Sequence, residues 1–187
     1  SKTRVRALAW EAEALLCGVR SLTSVDLEYP LHCENALKAN RRYREALFGV
    51  LQEISTDQAT SGMQRRSIAV VESLLLALVS AVWLYMQTQK VTLARDIVLE
   101  DMRRLSPILL SRHGSGASLL PTKSEMFREI EKVVSSNSPA WRQLCHSLRV
   151  LAFIVMNSEE RQSSLPTYPP ARTPDNDNHV YVEIPLS

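Results

Sequence analysis

The chain has 187 residues, 45% of them hydrophobic and 22% charged, which excludes a disordered or fibrous protein and leaves room for one ordinary domain with a buried core. Its formal net charge is only +2, so no global field draws in an anionic partner and any such partner has to be met by a local patch. Three cysteines, Cys17, Cys33 and Cys145, form no CxxC pair, which argues against a disulfide scaffold and for reduced thiols in an intracellular protein.

Only five glycines occur, and apolar residues recur at helical spacing along most of the chain, so the pattern predicts an all-α fold. Over 3–20 the stripe is Val5, Leu8, Ala12, Leu15, Leu16 and Val19, with Trp10 on its flank. The opening is basic but runs straight into this helix, which contains Glu11 and Glu13, and it does not read as a signal peptide. Tyr29-Pro30 marks the next start, because the residue before proline is pushed out of the α region while proline suits a first helical turn. The second stripe is Ala36, Ala39, Tyr43, Leu47, Val50, Leu51 and Ile54, and a turn over 56–62 follows.

The stretch 67–87, SIAVVESLLLALVSAVWLYMQ, is apolar on nearly every face and carries one charge, Glu72. Its length just suffices for a membrane span, with Arg65 and Arg66 before it and Trp83 and Tyr85 near its end. Glu72 lies more than a turn inside, where a bilayer charges up to about 2.5–3.5 kcal/mol for an ionised group. Ser67, Ser73 and Ser80 draw a small-polar seam of the kind that close helix packing uses. The reading adopted is therefore a core helix, with Glu72 near the mouth of the bundle or paired to a base; a membrane anchor is the alternative.

Further on, 91–105 is amphipathic, and Ser106-Pro107 reads as a cap and first-turn proline at which the helix kinks or restarts. GSGASLLP over 114–121 is a linker without the lysine of a phosphate cradle. Thr122 and Glu125 have capping-box spacing and open a helix to about residue 136. Ser138-Pro139 opens the last helix, whose face carries Trp141, Leu144, Cys145, Leu148, Leu151, Ala152 and Val155. The expectation is an antiparallel bundle of five to six helices around 67–87, occupying 1–157, followed by an extended tail over 158–187 that holds five of the nine prolines.

Candidate chemistry is sparse. The four histidines are scattered, no acidic helix pair has metal spacing, and Cys145-His146 are adjacent on a helix and so cannot face each other as nucleophile and base. No catalytic, metal or cofactor site is expected, and the protein is read as a non-enzyme. Lys38, Arg41, Arg42 and Arg44, with Tyr43 among them and His32 and Asn35 before them, form the densest basic cluster; Arg65 and Arg66 would extend it if helices two and three are antiparallel neighbours. Guanidiniums beside an aromatic suit phosphates and an unpaired base, whereas Glu34 and Glu45 dilute the patch toward a solvated face. In the tail, Tyr181 with Ile184 has the form of a phosphotyrosine motif, and Tyr168 sits in a PTYPP segment with polyproline character. These would dock on partners of an adaptor or viral-type accessory protein.

His32, Asn35, Lys38, Arg41 and Tyr43 on one helix, followed by an apolar helix with Leu78-Val79-Ser80 and Trp83, resemble the order of features in the helical RNase MRP-specific protein subunit and the Nepro nucleolar protein family. The likeness spans residues 5 to 110 and has no long exact motif; the loop before His32 is long for the family, and the usual basic run between the helices is reduced to Arg65 and Arg66. The resemblance implies a non-catalytic subunit of a ribosomal-RNA-processing particle in the nucleus or nucleolus. There the second helix would meet RNA or a partner subunit.

Overall fold

The computed structural model describes residues 2–56, 61–110, 123–134 and 138–163. Apart from the turns at 22–28 and 88–90 and residue 138, these are helical: α1 (Lys2–Ser21), α2 (Tyr29–Thr56), α3 (Ser61–Gln87), α4 (Val91–Leu110), α5 (Lys123–Val134) and α6 (Pro139–Ser163). The hub is α3, which packs on α2, α4 and α6. Its Leu74, Leu75, Leu78 and Val82 are fully buried and meet Phe48, Leu51, Met102, Leu105 and Leu144 in one core. A smaller cluster of Leu16, Val19, Tyr29, Cys33, Ala36 and Leu84 fixes the second half of α1 against α2 and α3.

The α2–α3 pair is antiparallel, with Tyr29 Oη donating to Gln87 Oε1 at 3.2 Å and Asn40 Nδ2 donating to the Ala77 carbonyl at 2.8 Å. Ala36, Ala39, Ala77 and Ala81 are all buried near this crossing. Small side chains let the two backbones approach until a side-chain amide spans the gap.

Asn40 is also the first member of a buried polar chain. Its Oδ1 accepts from Arg44 Nε at 2.9 Å, and the Arg44 guanidinium pairs with Asp101 of α4. Arg44 is 3% exposed and Asp101 2%, so neither charge is hydrated. Burial pushes the Asp101 carboxyl above its ordinary pKa, against the opposing pull of Arg44. Beside this chain, Arg104 grips Glu45 with both terminal nitrogens and lies over the Phe48 ring, 4.0 Å from its centroid. Together these contacts set the register of α4 against α2.

Glu72 is half-buried, and among the described residues it is held by a helix cap and not by a base. Its carboxylate accepts from the Ser138 hydroxyl and, at 2.9 Å, from the Ala140 N–H, while Ser138 Oγ accepts from the Trp141 N–H at 3.2 Å. A carboxylate from α3 thus completes the N-terminal cap of α6, where free N–H groups and the helix dipole favour negative charge. Val79, two turns past Glu72, lines a groove with Arg142, Gln143 and His146, so α6 runs parallel to α3.

Three boundaries differ from expectation. The third helix begins at Ser61 rather than 67. Pro107 lies inside α4, which does not restart at Ser106. Proline costs a helix interior about 3 kcal/mol, but here its ring faces solvent while Leu105, Ser106 and Leu109 around it are buried, and that burial holds the last turn in line. The last helix runs to Ser163, beyond the boundary placed at 157, because Glu159, Glu160, Arg161 and Gln162 are sound helix formers once the backbone is already helical. At the α3–α4 turn Gln89 adopts φ 59°, and the Lys90 N–H reaches the Tyr85 carbonyl at 2.9 Å, a Schellman closure built without glycine. The capping-box Thr122 lies outside the described residues.

Removing one partner of a buried ion pair typically costs about 3–5 kcal/mol, whereas apolar replacement of both is often neutral. Urea unfolding of Arg44→Met should show a loss of that size, and Arg44→Met/Asp101→Leu should recover most of it. Gly49, inside α2, has open space where a Cβ would stand. Gly49→Ala is therefore expected to raise stability by about 0.5–1 kcal/mol in the same assay.

Candidate interaction surfaces

The basic cluster of α2 does not form one face. Helical geometry turns successive residues by about 100°, so Asn35, Lys38, Arg41 and Arg42 emerge on the solvent side, whereas Arg44 points into the core. Arg44 is thus removed from the candidate surface: its guanidinium is spent on Asp101 and Asn40. Tyr43 is half-buried and lines a groove on the side facing α3, away from Arg41 and Arg42. His32 is half-buried with Nε2 3.6 Å from a Glu28 carboxylate oxygen.

The exposed members have acidic neighbours. Arg42 Nη2 donates to Glu11 Oε1 at 2.7 Å and ties α2 to α1; Lys38 lies 3.4 Å from Glu34 one turn earlier. Arg41 is exposed without an ion-pair partner among the described residues. Arg65 and Arg66 are exposed on α3, but not beside this edge. The pairings Tyr29–Gln87 and Asn40–Ala77 set residue 65 opposite residue 52, roughly 16 Å along α2 from Arg41 at 1.5 Å per residue. The helices are antiparallel neighbours, yet their register separates the two basic groups.

A different feature lies between α1, which packs mainly on α2, and α3. Only Leu16 and Val19 of α1 are buried, and its first half stands off α3 across a groove of about 330 Å³. Ala9, Ala12, Leu16, Ala36, Ala77 and Leu84 contribute apolar walls, Ser73 and Ser80 line the α3 side, and Glu13 and Asn40 add polar atoms. Trp10, 75% exposed, and Leu76, 44% exposed, stand at this opening. The serine seam therefore borders open space at Ser73 and Ser80, and only Ser67 is buried. Sequence reasoning placed Trp10 as a flank and missed the groove. The available signal was a weak one, since α1 combines small residues with a tryptophan off its main stripe.

Cys33 is buried beside Tyr29 and its thiol is pushed up by burial; Cys145 is pushed up by burial and the nearby Glu131. Both therefore remain protonated and poorly nucleophilic at neutral pH. Among the described residues no three His, Cys, Asp or Glu side chains gather to hold a metal. Tyr168, Tyr181 and Ile184 of the tail lie outside the described residues. Among the described residues one helix, Arg65–Gln87, is long and apolar enough to cross a membrane, with a mean hydropathy of 2.2, and half of that window is buried within the bundle.

No family model matches the chain, and neither curated proteins nor solved structures match it.

The Glu45 carboxyl is held below its ordinary pKa first by its hydrogen bonds to Arg104, with smaller pulls from Arg104, Arg44 and Arg41 charges. A lowered folded pKa means that the stabilisation is present above the unfolded value and lost as pH falls through the folded one. The stability gap between the wild type and Glu45→Gln should therefore close as pH falls from about 5 to about 3. Chemical unfolding at a series of pH values measures it, and a gap that widened on acidification would refute the assignment.

Proposed function

We propose that the chain is a non-catalytic helical interaction subunit of a larger assembly, held there mainly by protein contacts. The observation that carries this reading is the groove between α1 and α3, apolar on its walls and flanked by the exposed Trp10 and Leu76. Aromatic anchors in or beside concave apolar surfaces are the usual centres of binding energy in protein interfaces. The polar side chains of the described residues support it from the other direction. Arg44, Asp101, Asn40, Glu72, Arg104 and Glu45 hold helices to one another and are engaged before any partner arrives.

The resemblance to the RNase MRP-specific subunit and Nepro family extends the proposal to a ribonucleoprotein of ribosomal-RNA processing in the nucleus or nucleolus. In that setting Asn35, Lys38, Arg41 and Arg42 would be the edge presented to structured RNA, with Arg65 and Arg66 as a separate contact. The existing pairs Arg42–Glu11 and Lys38–Glu34 have to be exchanged for phosphates, which favours a small RNA contribution.

Affinity purification from native lysate, with and without nuclease, separates these components. Protein partners should survive nuclease and be lost in Trp10→Glu, which alters an exposed side chain. Lys38→Glu/Arg41→Glu should retain the proteins and lower the RNA recovered, and every phosphate no longer neutralised should reduce the salt slope of binding by about 0.9 on duplex RNA if it behaves as B-DNA does. Recovery that depends wholly on RNA, or that yields only kinases and membrane receptors, would sink the proposal in favour of an RNA-held subunit or a tyrosine-tail adaptor.

A further inference from the structure

Cations of α1 and α3 meet at one end of the bundle. The Arg42–Glu11 bond and the shared burial of Leu16, Val19, Cys33 and Ala36 make α1 antiparallel to α2, so α1 runs the same way as α3. That register sets Lys2 opposite residue 51 of α2 and Arg6 opposite residue 47, and Val5 packs on the core that holds Leu47, Phe48 and Leu51. The pairings of α2 with α3 set Arg66 opposite residue 51 as well.

These side chains also share a cleft. At about 100° per residue, Lys2 and Arg6 fall within the arc of α1 that lines the groove from Ala9 to Leu16, and Arg66 within the arc of α3 that lines it from Ser73 to Leu84. Arg65 lies at the edge of the second arc, on the side of Leu76. All four cations are exposed, and none has an ion-pair partner among the described residues. Of the acids near this end, Glu11 is held by Arg42, Glu72 caps α6 and Glu53 is itself engaged. Glu13, two turns past Arg6, is where the cationic stretch stops. Between them Trp10, one turn past Arg6 and 75% exposed, holds most of its indole in the open.

We propose that this end of the α1–α3 cleft holds a single-stranded segment of RNA, with Lys2, Arg6, Arg65 and Arg66 on its phosphates and a nucleobase stacked on Trp10. Cations that line a cleft neutralise a backbone running through it, and an aromatic ring beside them gives any nucleobase a face to lie on. A flat bilayer suits the place less, because the cations stand on two walls of a cleft and not on one plane. The proposal deepens the RNA component of the reading above and rests on it for the choice of polyanion. It moves the main contact from the α2 edge, where Arg42 and Lys38 already have carboxylates, to cations that have none. The apolar groove continues from here to Leu84, so RNA at this end and a protein in the groove share only Trp10.

The test is fluorescence anisotropy of the purified chain with a labelled oligouridine of about 12 nucleotides, inside the usual range of single-strand sites. Circular dichroism shows whether each variant keeps wild-type helicity. Two variants carry the same change of net charge: Arg6→Glu/Arg66→Glu should weaken binding by about tenfold or more, and Lys38→Glu/Arg41→Glu by clearly less. Trp10→Ala should weaken binding by about tenfold and leave the salt slope unchanged. Arg6→Ala/Arg66→Ala should lower that slope by about 1.4, two contacts at roughly 0.7 each on a single strand. A loss at the α2 edge as large as at the α1–α3 end, or a folded Trp10→Ala that binds as the wild type does, would overturn the proposal and leave the RNA reading standing. A wild type without salt-dependent binding would overturn both and leave the protein-held subunit. Phosphatidylserine vesicles are offered in parallel; tighter binding to these than to the oligouridine, lost in Arg6→Glu/Arg66→Glu, would assign the cations to a membrane surface and likewise overturn the proposal.

Discussion

Two charges without water, Arg44 and Asp101, set the terms on which the rest of this bundle packs. Hydrophobic burial alone would let α2, α3 and α4 slide past one another by a turn, since leucines and alanines offer similar contacts at many registers. A buried guanidinium has no such latitude. It must find the Asp101 carboxylate and the Asn40 amide oxygen together, and Asn40 in turn must reach the Ala77 carbonyl. Losing any of these leaves a desolvated polar group, so a shifted register is penalised at three helices at once.

A second constraint of the same kind orients α6. An acidic residue inside the most apolar helix would be a liability in either a membrane or a dry core. Glu72 instead meets the three groups that most need an acceptor or a negative charge nearby: a capping hydroxyl, a free amide N–H and the positive end of a helix dipole. That contact fixes where α6 starts, and with Val79 lying beside Arg142 and His146 it makes α6 parallel to the hub helix.

With so many of its polar groups turned inward, the molecule meets its surroundings partly through apolar surface. Trp10 and Leu76 open onto one side of α3, and Phe153 and Met156 stand exposed on α6. Basic residues are present outside too, but Arg42 and Lys38 already have carboxylates within reach and Arg65 and Arg66 stand apart from them.

Periodicity by itself was enough to establish the helices, because apolar residues at three- and four-residue spacing and the Ser138-Pro139 cap are local signals with a local cause. It also singled out 67–87 as the helix the others must cover. It could not tell that Arg44 differs from Arg41 and Arg42, since one residue turns a helix by about 100° and the inward direction is defined only by the neighbours that arrive. Asp101 on the inner stripe of α4 was the complementary hint, legible only once α2 and α4 are known to lie side by side. Pro107 read as a break because the local rule favours one, and the burial of Leu105 and Leu109 overrode it. The register of α3 on α2 separated Arg65 and Arg66 from the basic edge, and the departure of α1 from α3 opened the groove beneath Trp10. Local spacing thus determined which residues share a helix face; which faces meet, and which are left open, was decided by packing between segments dozens of residues apart, where burial energy and the pairing of buried charges act on the whole bundle together.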